Sequence, residues 1–187
     1  MILHEIAKVM AKVFLFGLFL VSPVLAAPAD DVVPLINGDY FTVTCKAMQS
    51  ANKSILFAMY EAQLSVNHPF GGESLMLREL ISAKNRGADV RVILEGDPER
   101  NNKYAYDFLK NAGINVSYDA DNITTHSSFM VIDDEYTILG SHNWTIGGQR
   151  MNHEASVFIR SKDVAKAMRK AFEQIAVKKE PEQETKK

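Results

Sequence analysis

The sequence predicts an α/β fold, a mixed and mostly parallel β-sheet sandwiched between helices, on three observations. Segments with apolar residues at helical spacing alternate with short apolar runs rich in Val, Ile and Leu between residues 39 and 177. Gly87 and Gly113 close two of the helical segments just before the next run begins. Two further runs are separated only by Asp133, Asp134 and Glu135, which reads as an antiparallel hairpin inside a sheet otherwise connected by helices.

In chain order, Lys8 and Lys12 stand ahead of an apolar run over residues 13–27 that contains Pro23 and ends in Ala26 and Ala27. The run is shorter than the roughly 20 residues a membrane span needs and has the charge pattern and small-residue end of a signal peptide, with an uncleaved N-terminal anchor as the alternative. Residues 1–27 therefore predict a secreted or periplasmic protein, or a membrane-anchored one. Residues 28–38 mix polar and apolar side chains around Pro34 and read as a lead-in. Phe41, Cys45 and Met48 give residues 40–51 helical spacing, and 54–60 is a buried strand candidate. A helix over 73–86, a strand over 89–94, a helix over 101–112 and a strand over 114–118 follow. The hairpin takes 128–132 and 136–139, and the last strand takes 154–159. Val164, Met168, Phe172 and Ile175 mark the core face of a final helix over 162–177. Residues 178–187 are a charged tail expected to be disordered, which leaves 39–177 as the folded domain. The loop over 62–72, with Pro69, Gly71 and Gly72, is long enough to shape a site entrance.

At 187 residues and 47% hydrophobic content the chain can bury one substantial core, and its length argues for a single domain. A formal net charge of -2 supplies no global attraction to nucleic acid, so binding a polyanion must rest on local Lys and Arg. Cys45 is the single cysteine, which excludes an internal disulfide and any CxxC metal or redox motif. His68, His142 and His153 lack HxxxH or HExxH spacing, so neither a metal nor a cofactor is expected.

The segment from Thr125 to Glu154 carries the chemistry. His126, Ser127 and Ser128 are followed after four residues by Asp133, and after six more by Gly140, Ser141, His142 and Asn143. Five specified positions at these offsets arise by chance on the order of once in 10,000 chains of this length or less. The pattern resembles the phospholipase D superfamily signature, HxK, four residues, D, six residues, GSxN, with Ser128 in the lysine's place. The resemblance extends over residues 39–177, because the strand before the motif, the hairpin within it and the strand after it follow the family's order of elements.

Phosphodiester hydrolysis without a metal needs a nucleophile, an acid for the leaving group and hydrogen-bonding or cationic groups on the phosphoryl oxygens. Imidazole can serve in either of the first two roles. The resemblance implies two facing histidines, one attacking phosphorus to form a phosphohistidine and the other protonating the leaving oxygen. One motif per chain then implies a homodimer that brings His126 of two copies together across a two-fold axis. The implied catalytic group is His126, Glu154 and Asp133. Within it Glu154 accepts the Nδ1 proton of His126, and Asp133 is expected to hold the hairpin turn rather than act as an acid. Ser128, Ser141 and Asn143 are the implied phosphate-binding residues. A short, exported, single-motif chain resembles the small endonucleases of the family, so DNA or RNA is the implied substrate. Phospholipid headgroup hydrolysis is the close alternative, and non-catalytic binding of nucleic acid or phosphate ligands is a third.

Ser128 offers a hydroxyl without a charge, and losing one such stabilising group costs roughly 100- to 1000-fold in rate, so impaired catalysis is expected. An engineered replacement, a pseudo-enzyme that keeps a phosphate cleft, and compensation by another cation all fit; His142, Arg150 and Lys103 are the candidate cations. Taken singly these residues have plainer readings: a histidine at a strand start is usually a surface group, and Gly, Ser and Asn are turn formers. Phe129 and Trp144 are expected in the core or cleft wall rather than as base-stacking platforms.

Overall fold

The computed structural model describes residues 26–65 and 67–178. The predicted signal peptide or anchor and the charged tail lie, apart from their innermost residues, outside that range. Among the described residues seven strands form one sheet: β1 (Asp31–Ile36), β2 (Ser54–Met59), β3 (Asp89–Leu94), β4 (Asn115–Tyr118), β5 (Phe129–Ile132), β6 (Tyr136–Gly140) and β7 (Ala155–Arg160). Their spatial order is β1-β7-β6-β5-β2-β3-β4. The helices are α1 (Asp39–Ser50), α2 (Gly72–Asn85), α3 (Lys103–Asn111), the short α4 (Ile146–Arg150) and α5 (Lys162–Gln174).

The central strand shows why a continuous apolar run forms here. All six residues of β2 are buried. Ile55, Phe57 and Met59 point into one core with Met48 of α1, Leu77 and Leu80 of α2 and Leu109 of α3. Leu56 and Ala58 point the other way, into a smaller core with Phe129, Val131 and α5 residues Ala165 and Phe172. Each fully buried Leu, Ile or Phe contributes about 1.5–3 kcal/mol, so both faces of β2 must stay covered.

The predicted α/β architecture with a mixed sheet is present, but the parallel majority is not. Only β2, β3 and β4 run parallel, joined by the crossover helices α2 and α3. The pairs β2–β5, β5–β6, β6–β7 and β7–β1 are all antiparallel. A parallel neighbour needs a crossover that returns to the strand's starting end, and the segment holding α4 instead turns straight back from β6 into β7. Residues 31–36, read as a lead-in, form the edge strand β1, paired with β7 from Asp31↔Arg160 to Ile36↔Ala155. Pro34 is compatible with an edge, where its missing N–H breaks no ladder bond.

This topology gathers one end of the sheet into a site. β2, β3 and β4 end there, β6 ends there, and β5 and β7 begin there, so Tyr60, Glu95, Asp119, His126, Ser141 and Glu154 all fall at the same rim. Ligand sites of open α/β sheets commonly occupy the carboxyl ends of their parallel strands. Gly140 lies at that rim because β6 and β7 approach closely: a Cβ there would come within 2.4 Å of Ser156 Cα and 2.5 Å of the Ala155 carbonyl oxygen.

Candidate active site

His126 is placed by its neighbours rather than by hydrogen bonds of its own. The N–H of Thr125 donates to Glu95 Oε2 at 2.5 Å and to Asp119 Oδ2 at 2.8 Å. Both carboxyl groups are buried, and they are tied to the strand ends because Gly96 N–H donates to Asp119 Oδ1 and Asp97 N–H to Glu95 Oε1. Two carboxylates on one amide repel when both are ionised. Burial, and after it the hydrogen bond with Asp119, hold the Glu95 carboxyl above its ordinary range, opposed by the Thr125 N–H. This pair anchors the backbone immediately before His126.

The imidazole of His126 lies against the Tyr60 ring, with centroids 4.3 Å apart, and the Arg100 guanidinium carbon stands 4.9 Å from the same tyrosine ring. His126 is exposed and makes no hydrogen bond with a described residue, so both ring nitrogens are open to a ligand. Ser128 lies next along the strand, half-buried. Its hydroxyl is 3.3 Å from Asn143 Oδ1 and 3.3 Å from Met59 Sδ; the amide oxygen is the stronger acceptor. With Oδ1 turned to Ser128, the Asn143 NH₂ group carries no bond to a described residue and is free to donate to a phosphoryl oxygen.

The structure does not join Glu154 to His126. The Ser141 hydroxyl donates to Glu154 Oε2, and Asn152 Nδ2 donates to Oε1 at 3.0 Å. Ser141 Oγ also accepts from Ala155 N–H at 3.1 Å, so this hydroxyl, expected on the phosphate, is engaged between Glu154 and β7. A carboxylate offers about four acceptor positions, so Glu154 keeps capacity for the Nδ1–H of His126. The site thus holds His126, Ser128 and Asn143 as the open reactive face, with Ser141 and Glu154 beside it.

Asp133 is at the other end of the sheet, roughly 17 Å of strand from Ser128. Its Oδ1 accepts from the N–H groups of Lys53 and Ser54 at 2.8 and 2.9 Å, and its Oδ2 from Asn52 N–H at 2.9 Å. With φ of 54° at Asp133 and 57° at Asp134, the hairpin is a type I′ turn. Asp133 therefore leaves the catalytic group and takes the structural role expected of it.

The candidate cations separate clearly. His142 is buried and stacked on Tyr40, with ring centroids 4.2 Å apart. The Asn37 carbonyl, 3.0 Å from Nε2, can only accept, so Nε2 carries the proton and Nδ1 accepts from the Ser156 hydroxyl at 2.7 Å. Burial holds its pKa below the usual value, and the ring is neutral. Lys103 pairs with Asp107 at 2.5 Å. Arg150, at the end of α4, is exposed and has no partner among the described residues. Phe129 and Trp144 are buried, Trp144 donating to Tyr40 Oη at 3.0 Å, as expected of core residues.

Tyr60, Glu95, Arg100 and Asp119 are the site residues that sequence reasoning missed. A signal was available: Tyr60, Glu95 and Asp119 each directly follow one of the three parallel strands. No group of three or more His, Cys, Asp or Glu among the described residues is suited to a metal ion, and no described helix is long and apolar enough to cross a membrane.

Comparison with known proteins bears on the family and the fold. The family described as "Cardiolipin synthase, PLD-like domain" matches residues 44–176. Cardiolipin synthase 1 of Staphylococcus epidermidis is 32% identical over 102 residues, covering 52% of this chain and 21% of that protein. The mitochondrial cardiolipin hydrolase of Xenopus tropicalis is 29% identical over 129 residues, covering 67% of this chain and 61% of that protein. The chain thus spans about a fifth of one relative and three fifths of the other. The phospholipase D family member Nuc from Salmonella typhimurium shares the fold, with a TM-score of 0.66 at 20% identity over 80% of this chain and 100% of that one.

Proposed function

We propose, from the premise that this chain belongs to the phospholipase D superfamily, that it is a metal-independent phosphodiesterase of the nuclease type, exported and acting as a homodimer through a phosphohistidine. The observation that carries this reading is an exposed His126 with free ring nitrogens beside the Ser128–Asn143 pair. An Nε2 lone pair of His126 attacks phosphorus, the P–O bond to the leaving group breaks, and His126 of the partner subunit gives its proton to that oxygen. The same partner imidazole then takes a proton from water, whose oxygen displaces the Nε2–P bond and frees the phosphate end. Asn143, held by the Ser128 hydroxyl at its Oδ1, donates its NH₂ group to the phosphoryl oxygens, and Glu154 accepts from Nδ1 of His126.

One face of the sheet supports the dimer. Val32, Pro34 and Ile36 of β1 stand opposite Ile159, Val157 and Ala155 of β7, and these side chains share a face. The core under α5 reaches β2, β3, β5 and β6 but not this pair of strands, and Val32 is 58% and Ile36 50% exposed. An uncovered apolar patch beginning beside Glu154 suits a second copy at the site.

The test is cleavage of single- and double-stranded DNA in EDTA by the wild type and His126→Ala. Cleavage by the wild type, lost with His126→Ala, is expected. DNA left intact while phosphatidic acid is released from phospholipid vesicles replaces this reading with phospholipid hydrolysis, the reading that the name of the cardiolipin hydrolase relative favours.

A further inference from the structure

A slot of about 280 Å³ opens beside the site between the starts of α1 and α2 and the end of α4, lined chiefly by Phe41, Phe70, Gly72, Leu75, Gln149 and Arg150. It adjoins the backbone of the residue that carries the phosphate-binding amide: Gln149 Nε2 donates to the main-chain carbonyl of Asn143 at 3.0 Å, and a Cβ on Gly148 would meet that carbonyl oxygen at 2.4 Å. Gly72 keeps the slot open, since a Cβ there would stand 3.2 Å from the Phe41 ring. Two features have no use within the fold. Phe70 is 81% exposed, an apolar ring left in water, and the Arg150 guanidinium has no partner among the described residues.

We propose that this slot binds one base of a single-stranded nucleic acid, stacked on Phe70, while Arg150 takes a phosphate of the same strand; this rests on the nuclease reading above. An aromatic platform beside a free guanidinium is the pairing that holds unpaired strands, because every base offers a π-face and every nucleotide a phosphate. The slot is at the small end of ligand pockets, which begin near 300 Å³, and so fits one ring-sized group. A lipid brings chains about 15 Å long, half the hydrocarbon thickness of a bilayer, which this slot does not accommodate. Gln149 has committed its amide nitrogen to Asn143, which leaves its oxygen to accept from a base edge. A base paired in a duplex must unpair before entering, so the slot selects single strands.

Phe70→Trp places a fluorescent reporter in the slot at an exposed position that the fold does not depend on. The variant is titrated in EDTA with an oligothymidylate, with an abasic oligomer of equal length, and with phosphatidylglycerol vesicles. The expected result is quenching of the new indole by the oligothymidylate and not by the abasic strand. Phe70→Ala is expected to weaken oligothymidylate binding about 5- to 100-fold, and Arg150→Ala to weaken it and flatten its salt dependence. Equal binding of the abasic strand overturns the proposal, as does a blue-shifted, brightened emission with vesicles alone, which marks a membrane surface. Base-dependent quenching without cleavage of any DNA overturns the nuclease reading and leaves the slot; cleavage without base-dependent quenching does the reverse.

Discussion

Replacing Ser128 by lysine restores the one charge that the motif lacks, and the geometry sets how much it returns. The Ser128 hydroxyl is half-buried, 3.3 Å from Asn143 Oδ1, so a lysine ammonium there donates to the same amide oxygen and keeps the Asn143 NH₂ turned to the phosphate. At an effective dielectric near 20, suited to a half-buried position, an ammonium about 4 Å from a phosphoryl charge interacts by about 4 kcal/mol. Only the part that grows in the transition state accelerates the reaction. Removal of single oxyanion donors elsewhere gives about 2.7–4 kcal/mol, so Ser128→Lys is expected to raise the cleavage rate roughly 100- to 1000-fold. The assay is plasmid nicking in EDTA, with Ser128→Met as the control for side-chain length without charge. An unchanged or slower Ser128→Lys, or an equal gain from Ser128→Met, refutes the reasoning; the first would point to a cation already serving the site, for which Arg100 over Tyr60 and the unpaired Arg150 are the candidates.

Three further outcomes test other parts of the structure. Asp133→Ala removes three charge-assisted backbone bonds at the far end of the sheet and is expected to cost about 2–3 kcal/mol of stability, a fall of about 5–10 °C in a thermal melt, without changing the affinity of the folded protein for DNA. Glu95 has its carboxyl raised above the ordinary 4.5, chiefly by burial and then by Asp119. The stability it contributes is therefore whole below 4.5 and lost as pH climbs through the raised value. Glu95→Gln mimics the protonated form, so the Tm of the variant is expected to decline less than that of the wild type between pH 5 and pH 8; parallel curves would show that the Thr125 anchor does not titrate. Val32→Asp with Ile36→Asp charges the uncovered sheet face, and sedimentation is expected to give a folded monomer with at least about 100-fold less cleavage, whereas an active dimer would move the interface elsewhere.

The parts of this molecule legible in the sequence are those fixed by local periodicity. β3 and the hairpin strands were readable because a glycine or an acidic turn bounds each buried run, and β2 because residues 55–59 are continuously apolar behind the polar Asn52 and Lys53. The edge strand β1 was not, because its ladder depends on β7, more than a hundred residues away, and Pro34 argued against a strand without the knowledge that this strand lies at an edge. The parallel majority failed for a related reason: apolar alternation reports that strands and helices alternate, not which end of the sheet a connection returns to. Tyr60, Glu95, Arg100 and Asp119 escaped notice because their relation to His126 exists only once four strand ends meet. Asp133 explains why the motif speaks more strongly for fold than for activity. Its fixed distance from His126 is set by the length of one buried strand, at whose end it opens a type I′ turn, and its carboxylate serves the N–H groups of Asn52, Lys53 and Ser54 at the start of β2. Gly140 likewise answers to the closeness of β6 and β7. Two of the five matching positions are thus demanded by folding alone, so a chain can keep most of the signature while its reactive face changes. Ser128 is such a change, at a position where the side chain meets Asn143 and Met59 and the backbone continues into β5 undisturbed.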